Sequence, residues 1–259
     1  MSAHGSAGPQ GSPALRLEGV TRDFGGLRAV DAVSLEVAPG ERRAIIGPNG
    51  AGKTTLFKLI SREERLTRGR IEFLGREITR VPAHHVARMG LGRTYQITRV
   101  FPALAVEENV ILAAQGVRGG KFQMLRTVRS RREIVRIAHE AIWRAGLDDA
   151  AGARAAELGH GQQRQLELAL ALAADPKVLL LDEPGAGLAA AERARMRELV
   201  RGLPQRLTLL LIEHDMELAL GLADRVTCMH DGKVVAEGTP DEIKRDQHVQ
   251  DLYLGRASR

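Results

Sequence analysis

Cysteine is nearly absent from this chain of 259 residues: Cys228 is the only one, so no internal disulfide can form. This is typical of proteins that work in a reducing cytosol. Long apolar runs are also missing, because none approaches the roughly 18 residues of a membrane span. The opening residues 1–12 are small, polar and glycine-rich, and they lack the apolar segment of a signal peptide. We interpret residues 1–12 as a disordered tail.

Aromatic residues make up only 3% of the chain, which leaves few platforms on which the bases of a single-stranded nucleic acid could stack. The net charge of +6 could suggest an anionic partner, but the arginines are scattered apart from a cluster at 126–136. We therefore expect a generally basic surface and no nucleic-acid partner. With 44% hydrophobic and 27% charged residues, the composition is that of an ordinary soluble protein with a sizeable core.

A glycine-rich loop is the strongest signal in the chain. It matches the phosphate-binding pattern G-x-x-x-x-G-K-[ST] and reads Gly47-Pro48-Asn49-Gly50-Ala51-Gly52-Lys53-Thr54-Thr55. The apolar run at 43–46 predicts a buried strand before the loop, and helical spacing over 54–60 predicts a helix after it. In this context backbone N–H groups and the helix N-terminus bind phosphates. Lys53 would reach the β- and γ-phosphates, and the Thr54 hydroxyl would ligate Mg²⁺.

Acidic residues and a histidine follow two further apolar runs of strand length. Asp182 and Glu183 come directly after residues 178–181, and His214 lies just beyond residues 207–212. Two acids after a strand are by themselves most simply a surface loop, and a lone histidine is usually structural. The phosphate loop in the same chain favours another interpretation, since ligands bind at the carboxyl edge of parallel sheets. Asp182 would then hold Mg²⁺ through water, and Glu183 would polarise an attacking water.

Two other positions stay open when they are considered alone. Phe24 is equally consistent with a core residue and with a ring that stacks on a nucleotide base. Gln96 has no distinguishing feature, since most glutamines are solvated surface residues. Residues 107–146 have helical spacing and many basic residues. We assign them to a helical subdomain inserted into an α/β core.

Together these segments resemble the nucleotide-binding subunit of an ABC transporter over residues 15–255. The phosphate loop resembles the Walker A loop of that family, and residues 178–182 resemble Walker B. The stretch most specific to the family is its signature motif, usually Leu-Ser-x-Gly-Gln. Here it is represented by Leu158-Gly159-His160-Gly161-Gln162. The resemblance implies that ATP and Mg²⁺ are the cofactors, with Gly159, Gly161 and Gln162 acting on the ATP of a neighbouring subunit.

The resemblance also implies roles for the remaining site residues. Asp182 would be the Mg²⁺ ligand of Walker B, Glu183 the catalytic carboxylate and His214 the switch histidine. Gln96 would join the Mg²⁺ shell and move with the membrane subunit, and Phe24 would stack on the base. The implied fold is α/β: a phosphate-loop NTPase core with a mainly parallel sheet, an N-terminal antiparallel β subdomain and an inserted helical subdomain. We expect one nucleotide-binding domain over 13–259, with the helical subdomain at about 97–175.

Within the family, the sequence is most similar to subunits of branched-chain amino-acid importers. The similar stretches are residues 92–96, 101–109, 161–167, 236–240 and 253–255. The expected function is therefore an ATPase subunit on the cytoplasmic face of the inner membrane, bound to permease subunits and to a second ATP-binding subunit. One rival is a soluble ABC ATPase of DNA repair or translation, but the coiled-coil insertions or second cassette usual there are missing. The other is a phosphate-loop kinase, which the signature-like motif argues against.

Two departures from the family pattern concern the neighbouring subunit. Gly159 replaces the usual signature serine, and Ala189 stands where Asn or Asp usually follows Gly187-Leu188. Both positions act on a neighbour's ATP site, whereas the residues that bind ATP within the chain are intact. We therefore expect a non-identical partner and one weakened ATP site.

Overall fold

The computed structural model describes residues 12–94, 100–117 and 128–254. The strands are β1 Leu15–Phe24, β2 Leu27–Val37, β3 Arg42–Ile46, β4 Arg68–Phe73, β5 Arg76–Glu77, β6 Leu91–Arg93, β7 Val178–Asp182, β8 Thr208–Ile212, β9 Arg225–His230 and β10 Lys233–Gly238. The helices are α1 Lys53–Ile60, α2 Ala83–Met89, α3 Val106–Val117, α4 Val128–Arg144, α5 His160–Leu172, α6 Ala190–Arg201, α7 Met216–Leu222, α8 Pro240–Arg245 and α9 Gln247–Leu254. Of the predicted tail 1–12, only Ser12 falls within the described residues.

The larger sheet has six strands in the order β10-β9-β3-β8-β7-β6. Its first five strands in sequence are mutually parallel, and β10 pairs antiparallel with β9 across the turn at Asp231-Gly232. Every residue of β7 and β8 is buried, as their continuous apolar runs predict. Because parallel strands end at one edge, the chain leaves β3, β7 and β8 toward the same side of the molecule. The predicted α/β phosphate-loop architecture is confirmed.

The smaller sheet is antiparallel, with strands in the order β2-β1-β4-β5. The alternation at 15–20 and 33–37 predicts two shorter strands with a turn at 23–26. Instead β1 and β2 continue toward each other and leave only Gly25 and Gly26 between them. Gly25 has a φ of +57°, a conformation that glycine adopts without the steric penalty of a side chain, so the turn can be this tight.

Two hydrophobic cores lie on opposite faces of the larger sheet. Side chains alternate along each strand, so neighbours in β8 such as Leu210 and Leu211 enter different cores. One core lies against α1 and the antiparallel sheet, and the other lies against helices α3 to α7. The second includes the apolar face of α4, formed by Ile134, Ile137, Ala141 and Ile142. Within the described ranges, every helix is too short or too polar to serve as a membrane span.

Candidate active site

The loop after β3 leads directly into α1. Glycine is required at Gly47 and Gly52, because a Cβ there would collide with the carbonyl oxygens of Met229 and Ala29 respectively. Gly52 lies in the left-handed region at φ +96° and is the N-cap of α1. The first turn of α1 therefore presents its free N–H groups at the mouth of the loop, with the side chains of Thr54 and Thr55 part-exposed. This arrangement suits a chain of phosphates.

Lys53 is the cation of this loop. Its side chain is buried, and its ammonium donates to the carbonyl oxygens of Gly47 at 2.7 Å and Pro48 at 3.0 Å. The ammonium is thus held against the loop rather than in solvent. A charge in this position attracts phosphate oxygens that enter the loop.

Asp182 ends β7 and is almost fully buried. Its Oδ2 atom accepts a hydrogen bond from Nη2 of Arg93 at 3.0 Å. Its Oδ1 atom is also buried and has no hydrogen-bond partner within the described part of the chain. Burial raises the pKa of Asp182, and the neighbouring Arg93 guanidinium opposes that rise. A buried carboxylate oxygen that lacks a partner fits a hard cation such as Mg²⁺, so the residues present suit that metal.

Glu183 and His214 are brought together from adjacent strand ends. Oε1 of Glu183 lies 2.6 Å from Nε2 of His214. The backbone of Glu183 is in the left-handed region at φ +53°, which costs a residue other than glycine about 1–3 kcal/mol. Its N–H donates to the carbonyl oxygen of Ile212 at 2.9 Å. The carboxylate is therefore held in one orientation beside the imidazole.

The signature-like stretch lies at the start of α5, with Gly159 as its N-cap. The backbone N–H of Gly159 donates to the side chain of Gln162 at 3.2 Å, but glycine has no side chain to cap the helix in return. His160 packs against Gly187, where a Cβ would lie 2.9 Å from Cε1 of the imidazole. The start of α5 therefore packs against the loop that follows Glu183.

The structure describes Phe24 but not Gln96. The Phe24 side chain is 41% exposed, so the interpretation of Phe24 as a core residue is wrong. The guanidinium of Arg22 lies 4.3 Å from the centre of the ring. Gln96 lies outside the described residues, and its role in the Mg²⁺ shell stays a prediction, as does base stacking by Phe24.

Two residues of the site are not predicted from the sequence. Arg93 binds Asp182, Ser61 and Glu63 with one buried guanidinium. Glu213 is buried beside His214 and accepts a hydrogen bond from the backbone N–H of Gly185. The only available signals are local: Arg93 lies three residues before Gln96, and Glu213 places a charge at the end of an apolar run.

Comparison with known proteins identifies the family. A family model described as "ABC transporter" matches residues 30–186, which include the phosphate loop, Asp182 and Glu183. The chain belongs to the ABC transporter family of ATP-binding proteins. A second model, described as "Branched-chain amino acid ATP-binding cassette transporter", matches residues 233–258 of this ABC protein.

Relatives of this ABC protein support the same family. It is 40% identical over 252 residues to the high-affinity branched-chain amino acid transport ATP-binding protein LivG of Salmonella typhimurium, covering 95% of this chain and 99% of LivG. A crystal structure of the ADP conformation of an ATP-binding cassette from an ABC transporter matches with a TM-score of 0.81 and 28% identity, covering 94% of this chain and 99% of that one. A dimeric cassette bound to ADP and Pi matches with a TM-score of 0.74 and 25% identity, covering 87% and 98%. As an ABC ATPase, the chain binds ATP and Mg²⁺ and hydrolyses ATP.

Proposed function

We propose that this ABC ATPase powers the import of branched-chain amino acids from the cytoplasmic face of the inner membrane. The observation that carries the proposal is the match of residues 233–258 to a family model specific to such transporters. Similarity to LivG over 95% of the chain supports it. The rival function, a soluble ABC ATPase acting on nucleic acid or the ribosome, has no comparable support.

In the proposed chemistry each described residue acts from the position that the fold gives it. Lys53 and the loop backbone bind the phosphates, while Thr54 and Asp182 would hold Mg²⁺. When bound, Mg²⁺ supplies positive charge to the phosphate oxygens. Glu183 orients water and accepts its proton, and His214 keeps that carboxylate in place through their 2.6 Å contact.

A groove on the surface of the ABC protein supports a permease partner. Its volume is about 560 Å³, and its wall combines apolar side chains of α2, α3 and α5 with Phe101, which is 58% exposed. The other large apolar residues are Leu91, Leu112 and Leu170. The groove is mostly apolar, and its wall includes Arg93, which touches Asp182. We assign it to a short cytoplasmic helix of the permease, which would bury an apolar face there.

The partner in the ATP-bound dimer is proposed to be a different chain. A similar cassette of known structure is dimeric with ADP and Pi. Gly159 and Ala189 are N-caps of α5 and α6 that lack the side-chain oxygens usual at those positions in the family. Two identical copies would carry both losses at both sites. With a different partner, whose own signature completes the site on this chain, only one site is weakened.

The proposal is tested by isolating this chain from the membranes of its own cells with a C-terminal affinity tag and identifying the proteins that remain bound. We expect permease subunits and a second, non-identical ATP-binding subunit. Lys53→Ala and wild type are compared, because the permease contact should not require nucleotide. Recovery of the chain alone, or with ribosomes or nucleic acid, contradicts the proposal.

A further inference from the structure

Three consecutive residues at the end of β8 hold the loop that carries Glu183. The carbonyl oxygen of Ile212 accepts the N–H of Glu183 at 2.9 Å. Oε1 of Glu213 accepts the N–H of Gly185, also at 2.9 Å. Nε2 of His214 lies 2.6 Å from Oε1 of Glu183. The loop is therefore restrained through one backbone and two side-chain contacts, all from one neighbouring segment.

The middle contact uses an unusual group for a buried position. The Glu213 side chain is only 4% exposed, and buried carboxylates are rare unless they are paired. Burial raises the pKa of Glu213 to about 7, and the nearby charges of Glu183 and Asp215 add to the rise. Hydrogen bonds from the backbone N–H groups of Gly185 and His214 act in the opposite direction. The two groups that favour the carboxylate thus belong to the two loops that meet at the active site.

We propose that Glu213 is a positioning residue for ATP hydrolysis, whose carboxyl group fixes the loop from Glu183 to Gly185 relative to His214. The loop needs such a restraint because Glu183 has a strained backbone, and strain of this kind persists only where the surroundings impose it. Small displacements of a catalytic group are expensive, since about 1 Å can reduce a rate by about a hundredfold. The inference rests on the role of Glu183 proposed above.

Gly185 shows how closely the two loops fit. A Cβ at this position would lie 3.1 Å from Oε1 of Glu213 and 3.0 Å from Cδ2 of Leu218. Both distances are tighter than ordinary van der Waals contact, so even a methyl group would push the carboxyl group away from the Gly185 N–H. Gly185→Ala therefore disturbs the same contact from the opposite side.

The test measures kcat, KM and ATP affinity in the assembled transporter for Glu213→Ala and Glu213→Gln. The Ala variant removes the acceptor, and we expect kcat to fall about ten- to a hundredfold while the Kd for ATP changes less than about twofold. The Gln variant keeps an acceptor oxygen of the same reach and should recover most of the rate. Glu217→Ala and Glu217→Gln make the same changes on the exposed side of α7 and are the controls.

A double-mutant cycle with Gly185→Ala locates the effect. If the Gly185 contact carries it, the two substitutions together should cost little more than the worse one alone. Full kcat in Glu213→Ala, a parallel loss of ATP affinity, failure of Gln to rescue, or additive effects in the cycle would each overturn the positioning role. The wild-type complex separates this outcome from a failure of the proposed function, since absence of hydrolysis or uptake there contradicts the function itself.

Discussion

At the scale of single residues, the chemistry depends on Glu183 and Lys53 in different ways. Glu183→Gln keeps the shape of the side chain but removes the base, so turnover should fall by roughly two to four orders of magnitude while ATP still binds. Lys53→Ala removes the buried ammonium of the phosphate loop and should weaken ATP binding itself. Both are measured in the assembled transporter, with nucleotide binding determined separately from hydrolysis. Near-normal turnover in Glu183→Gln would remove Glu183 from its role.

The raised pKa of Glu213 also predicts how its contribution to stability depends on pH. Its pKa is about 7 in the folded chain against an ordinary value of 4.5, so the folded state binds more protons between these pH values. The contribution of Glu213 to the free energy of unfolding is therefore largest below about pH 4.5 and declines until about pH 7, by on the order of 3 kcal/mol. Glu213→Gln cannot ionise and should escape this decline.

Denaturant unfolding of the purified chain at pH 5 and pH 8 checks the prediction. The stability gained by Glu213→Gln over wild type should be larger at pH 8 than at pH 5. Glu217→Gln is the control for the same chemical change at the surface. An equal difference at both pH values would show that Glu213 does not ionise in this range.

At the scale of elements, helices α5 and α6 begin without a side-chain cap. Gly159 and Ala189 have extended backbones at φ −64°, the conformation in which Ser or Asn normally caps a helix. Ala189→Asn should stabilise the chain by about 1 kcal/mol, whereas Gly159→Ser should add only a few tenths, since glycine is itself tolerated at N-caps. Denaturant unfolding of the isolated chain measures both. If Ala189→Asn gives no gain, capping is not what this position lacks.

Gly159→Ser also tests whether the two ATP sites differ in activity. A hydrogen bond to a charged group is worth about 1.5–3 kcal/mol. A hydroxyl that bonds to the opposing γ-phosphate in the transition state would therefore change the rate of hydrolysis at that site about ten- to a hundredfold. Because Gly159→Ser barely changes stability, a severalfold rise in hydrolysis by the complex would report the restored contact. No rise, with both sites already turning over equally, would contradict the weakened site.

Sequence reasoning succeeds here where the signal is local. The apolar runs of β7 and β8 and the glycine pattern before α1 each predict their element, because burial and loop geometry act over a few residues. It fails for the contacts of Arg93 with Asp182 and of Glu213 with Gly185, whose partners are 89 and 28 residues apart in the chain. Phe24 is similar: a single aromatic carries no information about which side of β1 faces solvent.

At the scale of the whole molecule, the apolar groove should connect hydrolysis to transport. Phe101→Glu or Leu112→Glu places a charge where the permease helix is proposed to bind, so uptake should be lost while ATP binding is preserved. Trp143→Glu is a matched control, because Trp143 is 65% exposed on α4 and is not part of the groove wall. The measurement is amino-acid uptake for each ATP hydrolysed in membrane vesicles. Unchanged uptake in both groove variants would exclude this surface as the docking site.

The central claim is that this chain converts ATP hydrolysis at Glu183 into amino-acid import. The most direct measurement is uptake of radiolabelled leucine, isoleucine and valine into vesicles that contain the purified complex, with ATP on the side of this chain. We predict that the amino acids accumulate in the vesicles only when ATP is present. In Glu183→Gln, both the rate of ATP hydrolysis and the accumulation should fall. A complex that hydrolyses ATP at the normal rate but accumulates none of these amino acids would contradict the account.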